Sequence, residues 1–152
     1  MGSPPRRLEE IALPEWDDLH AVNLRASFLL AQRVLPGMIE RGFGRIVFVS
    51  SVAAFTGGII GAHYASSKAG LHALAHSISQ QAASHGVTAN VVAPALIESD
   101  MLPAGNRAAL AAKLPVGRLG RAEEVADLIA AVVANGYLTN QSILLDGGWH
   151  PS

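Results

Sequence analysis

The chain contains no cysteine, which removes disulfides and thiolate-bound metal sites from consideration. Charge is scarce too: 15% of its 152 residues are Asp, Glu, Lys or Arg, whereas half are hydrophobic, and an ordinary globular domain carries about a quarter charged residues. So little charge cannot cover a monomer's surface, and contacts between subunits are expected to hide part of it. The net charge is −1 and Arg6-Arg7 is the one adjacent basic pair, so the electrostatic footprint for a nucleic acid or an anionic membrane is missing. A small molecule or another protein is the expected partner. No apolar run reaches the roughly 18 residues of a membrane span, and MGSPPRRLEE lacks the apolar core of a secretory leader; a soluble, cytoplasmic protein is the expectation. Met1 to Ser3 are set aside from the fold reasoning.

What is present alternates between helical patterns and short β-branched runs, with no internal repeat, the pattern of a parallel α/β sheet in a single domain. The stretch from Pro14 to Gly42 reads as a helix: Pro suits its first turn, Glu15, Asp17 and Asp18 its positive end, Pro36 predicts a kink and Gly42 the stop. Arg45 to Ser50, RIVFVS, lacks alternation and reads as a strand covered on both faces. Tyr64 to about His85 is a long helix with Leu71, Leu74 and Ile78 at core spacing and Gly86 as its stop. VTANVVA, Val87 to Ala93, is a second strand. Pro94 opens a loop through Ile97, Ser99 and Met101 toward a short helix over Asn106 to Lys113. A further helix, Ala122 to Ala134, is expected to close at a left-handed Asn135-Gly136 cap. SILL, Ser142 to Leu145, is a third strand ending in Asp146-Gly147-Gly148, where Asp146 shapes a turn.

The chemistry concentrates in SSVAAFTGGIIGAHYASSKAG, residues 50 to 70. Tyr64 and Lys68 are four apart, hence one turn apart on one helix face. A cation beside a phenol stabilises its ionised form, as general acid-base chemistry on an alcohol or ketone oxygen requires. Ser51 follows a strand, at the end of the sheet where open α/β folds bind ligands, and its hydroxyl can orient a carbonyl. A tyrosine and a lysine at this spacing are common on solvated helices, so the pair alone carries little weight. His72 and His76 are also four apart, but no acidic or histidine partner lies nearby in sequence, and no metal site is expected. Gly57, Gly58 and Gly61 lack a following P-loop Lys-Ser/Thr and read as a flexible loop beside a substrate. Trp16 and Trp149 read as core or interface residues.

Context raises the weight of the pair. Asn23 lies in VNL, Ser51 falls thirteen residues before Tyr64, and YASSKAGL, ANVVAPALIESDM, LPVGRLGRAEEVA and NQSILLDGG follow in order. In these features the chain resembles the short-chain dehydrogenase/reductase family, from about Leu8 to Gly148, in the general manner of its 3-oxoacyl carrier-protein reductases. The resemblance implies a Rossmann-like, doubly wound parallel sheet and an NAD(P)-dependent oxidoreductase that moves hydride between nicotinamide and a carbonyl or secondary alcohol. It implies Tyr64 as the acid/base and Lys68 as the residue that holds the nicotinamide ribose. Ser51 would be the carbonyl-orienting hydroxyl rather than Ser50, which lacks the spacing. Asn23 would anchor a water-borne proton relay, and Pro94, Ile97 and Ser99 would flank the carboxamide. Ala95 stands where the family has Gly, and Ser99 where it has Thr.

The family's glycine-rich GxxxGxG turn is found nowhere in the sequence. The expected fold is therefore partial, the carboxy-terminal half without the amino-terminal dinucleotide-binding half, and NAD or NADP is expected to bind this chain weakly or not at all. The strand RIVFVS would lose its neighbour and leave an apolar edge that recruits other chains, as a homo-oligomer or by pairing with a missing amino-terminal half. The alternative reading is a catalytically incomplete remnant acting as a structural or interaction subunit.

Overall fold

A computed structural model describes residues 6–99 and 104–150; Met1 to Ser3 and Met101 lie outside the described residues. A helical rod runs from Leu13 to Glu40 in three parts: α1 (Leu13–His20), one π-helical turn (Ala21–Arg25) and α2 (Ala26–Glu40). Pro36 does not end α2, which continues through it to Glu40. It stops at Gly42, whose φ of +68° is left-handed; Phe43 N–H bonds the Met38 carbonyl and Gly42 N–H that of Ile39, a glycine-terminated cap that satisfies the last carbonyls. β1 (Gly44–Val49) follows, then a one-turn helix α3 (Ala53–Thr56), the long α4 (Ala62–Ala82) and β2 (Val87–Pro94). A short α5 (Arg107–Ala111), α6 (Ala122–Ala134) and β3 (Ser142–Leu145) complete the order.

The sheet is three-stranded and wholly parallel, in the order β1-β2-β3, with Gly44 opposite Val87 through Val49 opposite Val92, and Val91 opposite Ser142 through Pro94 opposite Leu145. β2 is buried from Val87 to Ala93. Successive side chains point to opposite faces of a strand, so both faces are covered. Val87, Ala89 and Val91 join Ala31 and Leu35 of α2 and Leu71, Ala75 and Ile78 of α4 in one cluster. α6 packs against β1 and β2 and provides the cover that the buried Thr88, Asn90 and Val92 require. Helices on both faces of a parallel sheet make this the α/β, Rossmann-like arrangement that the sequence predicts.

One expected cap is corrected. Asn135-Gly136 is not left-handed: Asn135 is extended (φ −92°, ψ 102°), and its Oδ1 accepts the Tyr137 N–H at 3.0 Å. A side-chain turn stops α6 where a reversal of φ was expected. Asp146 shapes its turn as predicted, with its two carboxylate oxygens accepting the Gly148 and His150 N–H groups at 2.9 and 2.8 Å. Trp16 and Trp149 are only partly buried, and Trp16 stacks on His20.

β1 has a strand on one side only among the described residues. Gly44 and Ser50 donate their N–H groups toward β2, so the backbone groups of Arg45, Val47 and Val49 face the other way. Beside that open side lies a groove of about 460 Å³ between β1 and α2, flanked by the exposed Leu30 and Val34. The apolar edge expected of RIVFVS is present.

Candidate active site

Ser51 is set by two backbone bonds. Ser50 N–H donates to Val92 O at 2.8 Å, carrying the ladder one residue past β1, and Val52 N–H donates to Pro94 O at 3.0 Å. The peptide between them is fixed against the end of β2. Ser51 Oγ accepts the Ala53 N–H at 3.2 Å and so begins α3. Its hydroxyl sits at the carboxyl end of a parallel strand, where a ligand meets no side chain of the sheet interior.

α4 delivers Tyr64 and Lys68 to the same end, one turn apart, with Lys68 Nζ 5.9 Å from the centroid of the Tyr64 ring. Nζ donates to the Val49 carbonyl at 2.9 Å, a group that β2 leaves free. Burial of the ammonium pulls its pKa below the ordinary lysine value, because lost hydration disfavours the charged form. Lys68 has further N–H bonds to give and lines the groove beside β1.

Asn23 occupies the π-helical turn. Its Nδ2 donates to Ser67 Oγ at 3.0 Å, and that hydroxyl donates to the Tyr64 carbonyl at 2.8 Å, tying the helical rod to the backbone of the tyrosine. Ser27 Oγ takes up the Asn23 carbonyl at 3.0 Å. Asn23 thus sits in a π turn, a frequent irregularity at functional positions. Asn23 and Lys68 line the same groove.

The three residues expected around a carboxamide are each held by a different partner. Pro94 ends β2 beside Ser51, as above. Ile97 bridges to Gly120, and the Ser99 carbonyl accepts from Arg107 Nη2 at 3.4 Å. Gly120 and Arg107 of α5 hold these two in place.

Sequence reasoning missed how His72 and Ser50 are used. His72 Nε2 lies 2.8 Å from Ser50 Oγ and its Nδ1 2.8 Å from Ser142 Oγ, while His76 hydrogen-bonds Asn140. Among the described residues no group of three or more possible metal ligands occurs. His63 is also new: it is fully buried next to Tyr64, with Nε2 3.4 Å from Glu15 Oε1, within ion-pair reach but off the line of a hydrogen bond. The spacing of Tyr64, Lys68, His72 and His76, each four residues from the last, was the available signal for a common stripe on α4.

A phenol and a partly buried ammonium one turn apart offer the donors and acceptor that a ribose diol takes, so the described residues suit the nicotinamide-ribose end of a dinucleotide. The pyrophosphate end requires a cradle of backbone amides at a glycine-rich helix start, and the sequence contains no GxxxGxG.

The comparisons with known proteins find one family. A model of the short chain dehydrogenase family matches residues 2–109. The chain is 38% identical over 141 residues to the 3-oxoacyl-(acyl-carrier-protein) reductase FabG of Escherichia coli K12, covering 90% of this chain and 58% of that one. It is 39% identical over 141 residues to the reductase of the same name from Vibrio cholerae, with the same coverage, and 36% identical over 143 residues to that of Pseudomonas aeruginosa, covering 91% of this chain and 58% of the relative. The chain thus spans under two thirds of the length of these relatives. With the family model matching more than half of its residues, and Ser51, Tyr64 and Lys68 carried to the same end of a parallel sheet, the chain belongs to the short-chain dehydrogenase family.

Proposed function

We propose that the chain is the catalytic portion of an NAD(P)-dependent oxidoreductase that interconverts a carbonyl and a secondary alcohol in the cytoplasm. The observation that carries this reading is the delivery of Tyr64 and Lys68 by one face of α4 to the strand end that holds Ser51. Ser51 donates a hydrogen bond to the substrate oxygen and orients it. Tyr64 gives its phenolic proton to that oxygen during reduction and takes it back during oxidation; the nicotinamide, when bound, supplies or accepts the hydride. Lys68, whose ammonium stabilises the phenolate, also donates to the ribose hydroxyls. Asn23, hydrogen-bonded through Ser67 to the Tyr64 backbone, anchors the water that returns the proton from solvent, and Pro94, Ile97 and Ser99 flank the carboxamide. The first substrates to assay are 3-oxoacyl-(acyl-carrier-protein) compounds, after which the relatives are named.

The partner of the β1 edge is a further strand that completes the sheet. Arg45, Val47 and Val49 offer a row of backbone donors and acceptors, and the groove under α2 accepts apolar side chains. That strand comes either from another copy of the chain or from an amino-terminal half that carries a dinucleotide cradle.

The test is Tyr64→Phe in a preparation that turns over. Loss of one positioned proton donor is expected to lower kcat by roughly 10²- to 10⁴-fold with the fold unchanged by circular dichroism; undiminished turnover overturns the assignment. Titration with NAD(P)H of a preparation in which the β1 edge is covered separates this reading from a non-catalytic subunit. Saturable binding supports the enzyme, and none at millimolar coenzyme supports a remnant.

A further inference from the structure

The stripe on α4 continues beyond the residues assigned above. Tyr64 and Lys68 stand at its outer end, and His72, the next residue along, makes three contacts to three different elements. Its Nε2 is 2.8 Å from Ser50 Oγ, at the end of β1. Its Nδ1 is 2.8 Å from Ser142 Oγ, the first residue of β3. The Phe55 ring of α3 meets it edge-on, with centroids 4.9 Å apart.

Proton counting gives this network one direction. Ser50 Oγ donates its single proton to the Lys68 carbonyl at 3.0 Å, so toward His72 it only accepts, and Nε2 must carry the ring hydrogen. Nδ1 of the neutral ring then offers a lone pair, and Ser142 O–H donates to it. The chain runs from Ser142 to His72 to Ser50 to the backbone of Lys68. Ser50 and Phe55 flank Ser51 on either side in sequence. His72 therefore grips the segment bearing Ser51 at both ends, and through Ser50 ties it to the carbonyl of Lys68.

We propose that His72 is a positioning residue, whose imidazole locks the Ser50-Ser51 peptide against α4 so that the Ser51 hydroxyl and the Lys68 ammonium keep a fixed separation. This rests on the catalytic reading above, but the lock itself is a property of the folded chain. His72 touches none of the reacting groups; it acts through Ser50. A side chain here that fills the space without the two hydrogen bonds leaves the buried Ser50 oxygen short of a donor and frees the peptide to shift.

The experiment pairs imidazole ¹⁵N NMR with kinetics of His72→Leu and His72→Gln. In the unaltered protein Nε2 is expected to give a pyrrole-like signal and Nδ1 a pyridine-like one; averaged signals from a freely exchanging ring overturn the proposal. His72→Leu is expected to lower kcat about 10- to 100-fold, the scale of a displaced reacting group, with KM for the coenzyme within about twofold. His72→Gln, which keeps a donor for Ser50, is expected to recover most of the loss. Unchanged kcat in His72→Leu, or no recovery in His72→Gln, overturns the proposal. If the unaltered protein shows no turnover, the catalytic reading fails separately, and the lock is judged from the Ser51 and Ala53 amide signals: displacement in the Leu variant with restoration in the Gln variant supports it, and unmoved signals overturn it. If His72→Leu does not fold, Ser142→Ala takes its place. Loss of the fixed tautomer with displaced Ser51 signals then supports the lock, and retention of both overturns it.

Discussion

A carboxylate at the start of α6 shows how far a single residue's ionisation is set by its neighbours. Glu124 accepts from both Arg118 guanidinium nitrogens, at 2.7 and 2.9 Å, and from the Arg121 N–H at 2.8 Å. These donors, the Arg118 hydrogen bonds first, hold its pKa down to about 2, against 4.5 ordinarily. Its protonation is thus easier in the unfolded chain than in the folded one. The contribution to stability is complete above about pH 4.5 and disappears as the pH falls toward about 2. Because the group is on the surface, the effect is a small share of the total. Glu124→Gln is expected to lower the urea midpoint slightly at neutral pH and to flatten its decline between these two values. Superimposable acid limbs for the two proteins would show that the Arg118 contact does not persist in solution.

At the scale of elements, the strands, the α4 helix and its glycine stop were legible because they are local. β-branched runs at Ile46 to Val49 and Val87 to Val92 specify strands. Gly86, with φ of +75° and a virtual Cβ 2.3 Å from the Gly42 carbonyl oxygen, admits no other residue without a shift of backbone. The Tyr64–Lys68 pair was legible for the same reason, as a four-residue spacing on one helix. What escaped depends on partners distant in sequence. The π turn at Ala21–Arg25 is held by Asn23 reaching Ser67, and the work of His72 is defined by Ser50 and Ser142. Asn135 exchanged a left-handed cap for a side-chain turn, a choice between two local solutions that composition leaves equal. Strand parity yields a further expectation for β1. In the isolated chain the Ile46 and Phe48 amides, which face β2, are expected to exchange with solvent slowly and the Val47 amide quickly, with Val47 slowing once the edge is covered. Equal protection of neighbouring amides would mean that the open side is already paired.

The whole molecule joins an ordered core to an unfinished boundary. Leu71, Val87, Ala89 and Val91 are almost completely removed from water, as in a complete domain. Around the β1 edge, Leu30 and Val34 of α2 stay exposed, and the sequence has too little charge to offset them. Light scattering at micromolar concentration is expected to return a mass above the 15.8 kDa of one chain; a well-behaved monomer would argue against every form of pairing at this edge. The open edge also decides what kind of quantity the protein's heat resistance is. Under the proposed pairing of two copies, the sheet draws part of its free energy from mass action, so its melting midpoint climbs as the solution is concentrated and sinks on dilution. Thermostability is then shared between partners, and a single melting temperature describes the sample that was measured more than the sequence that was folded.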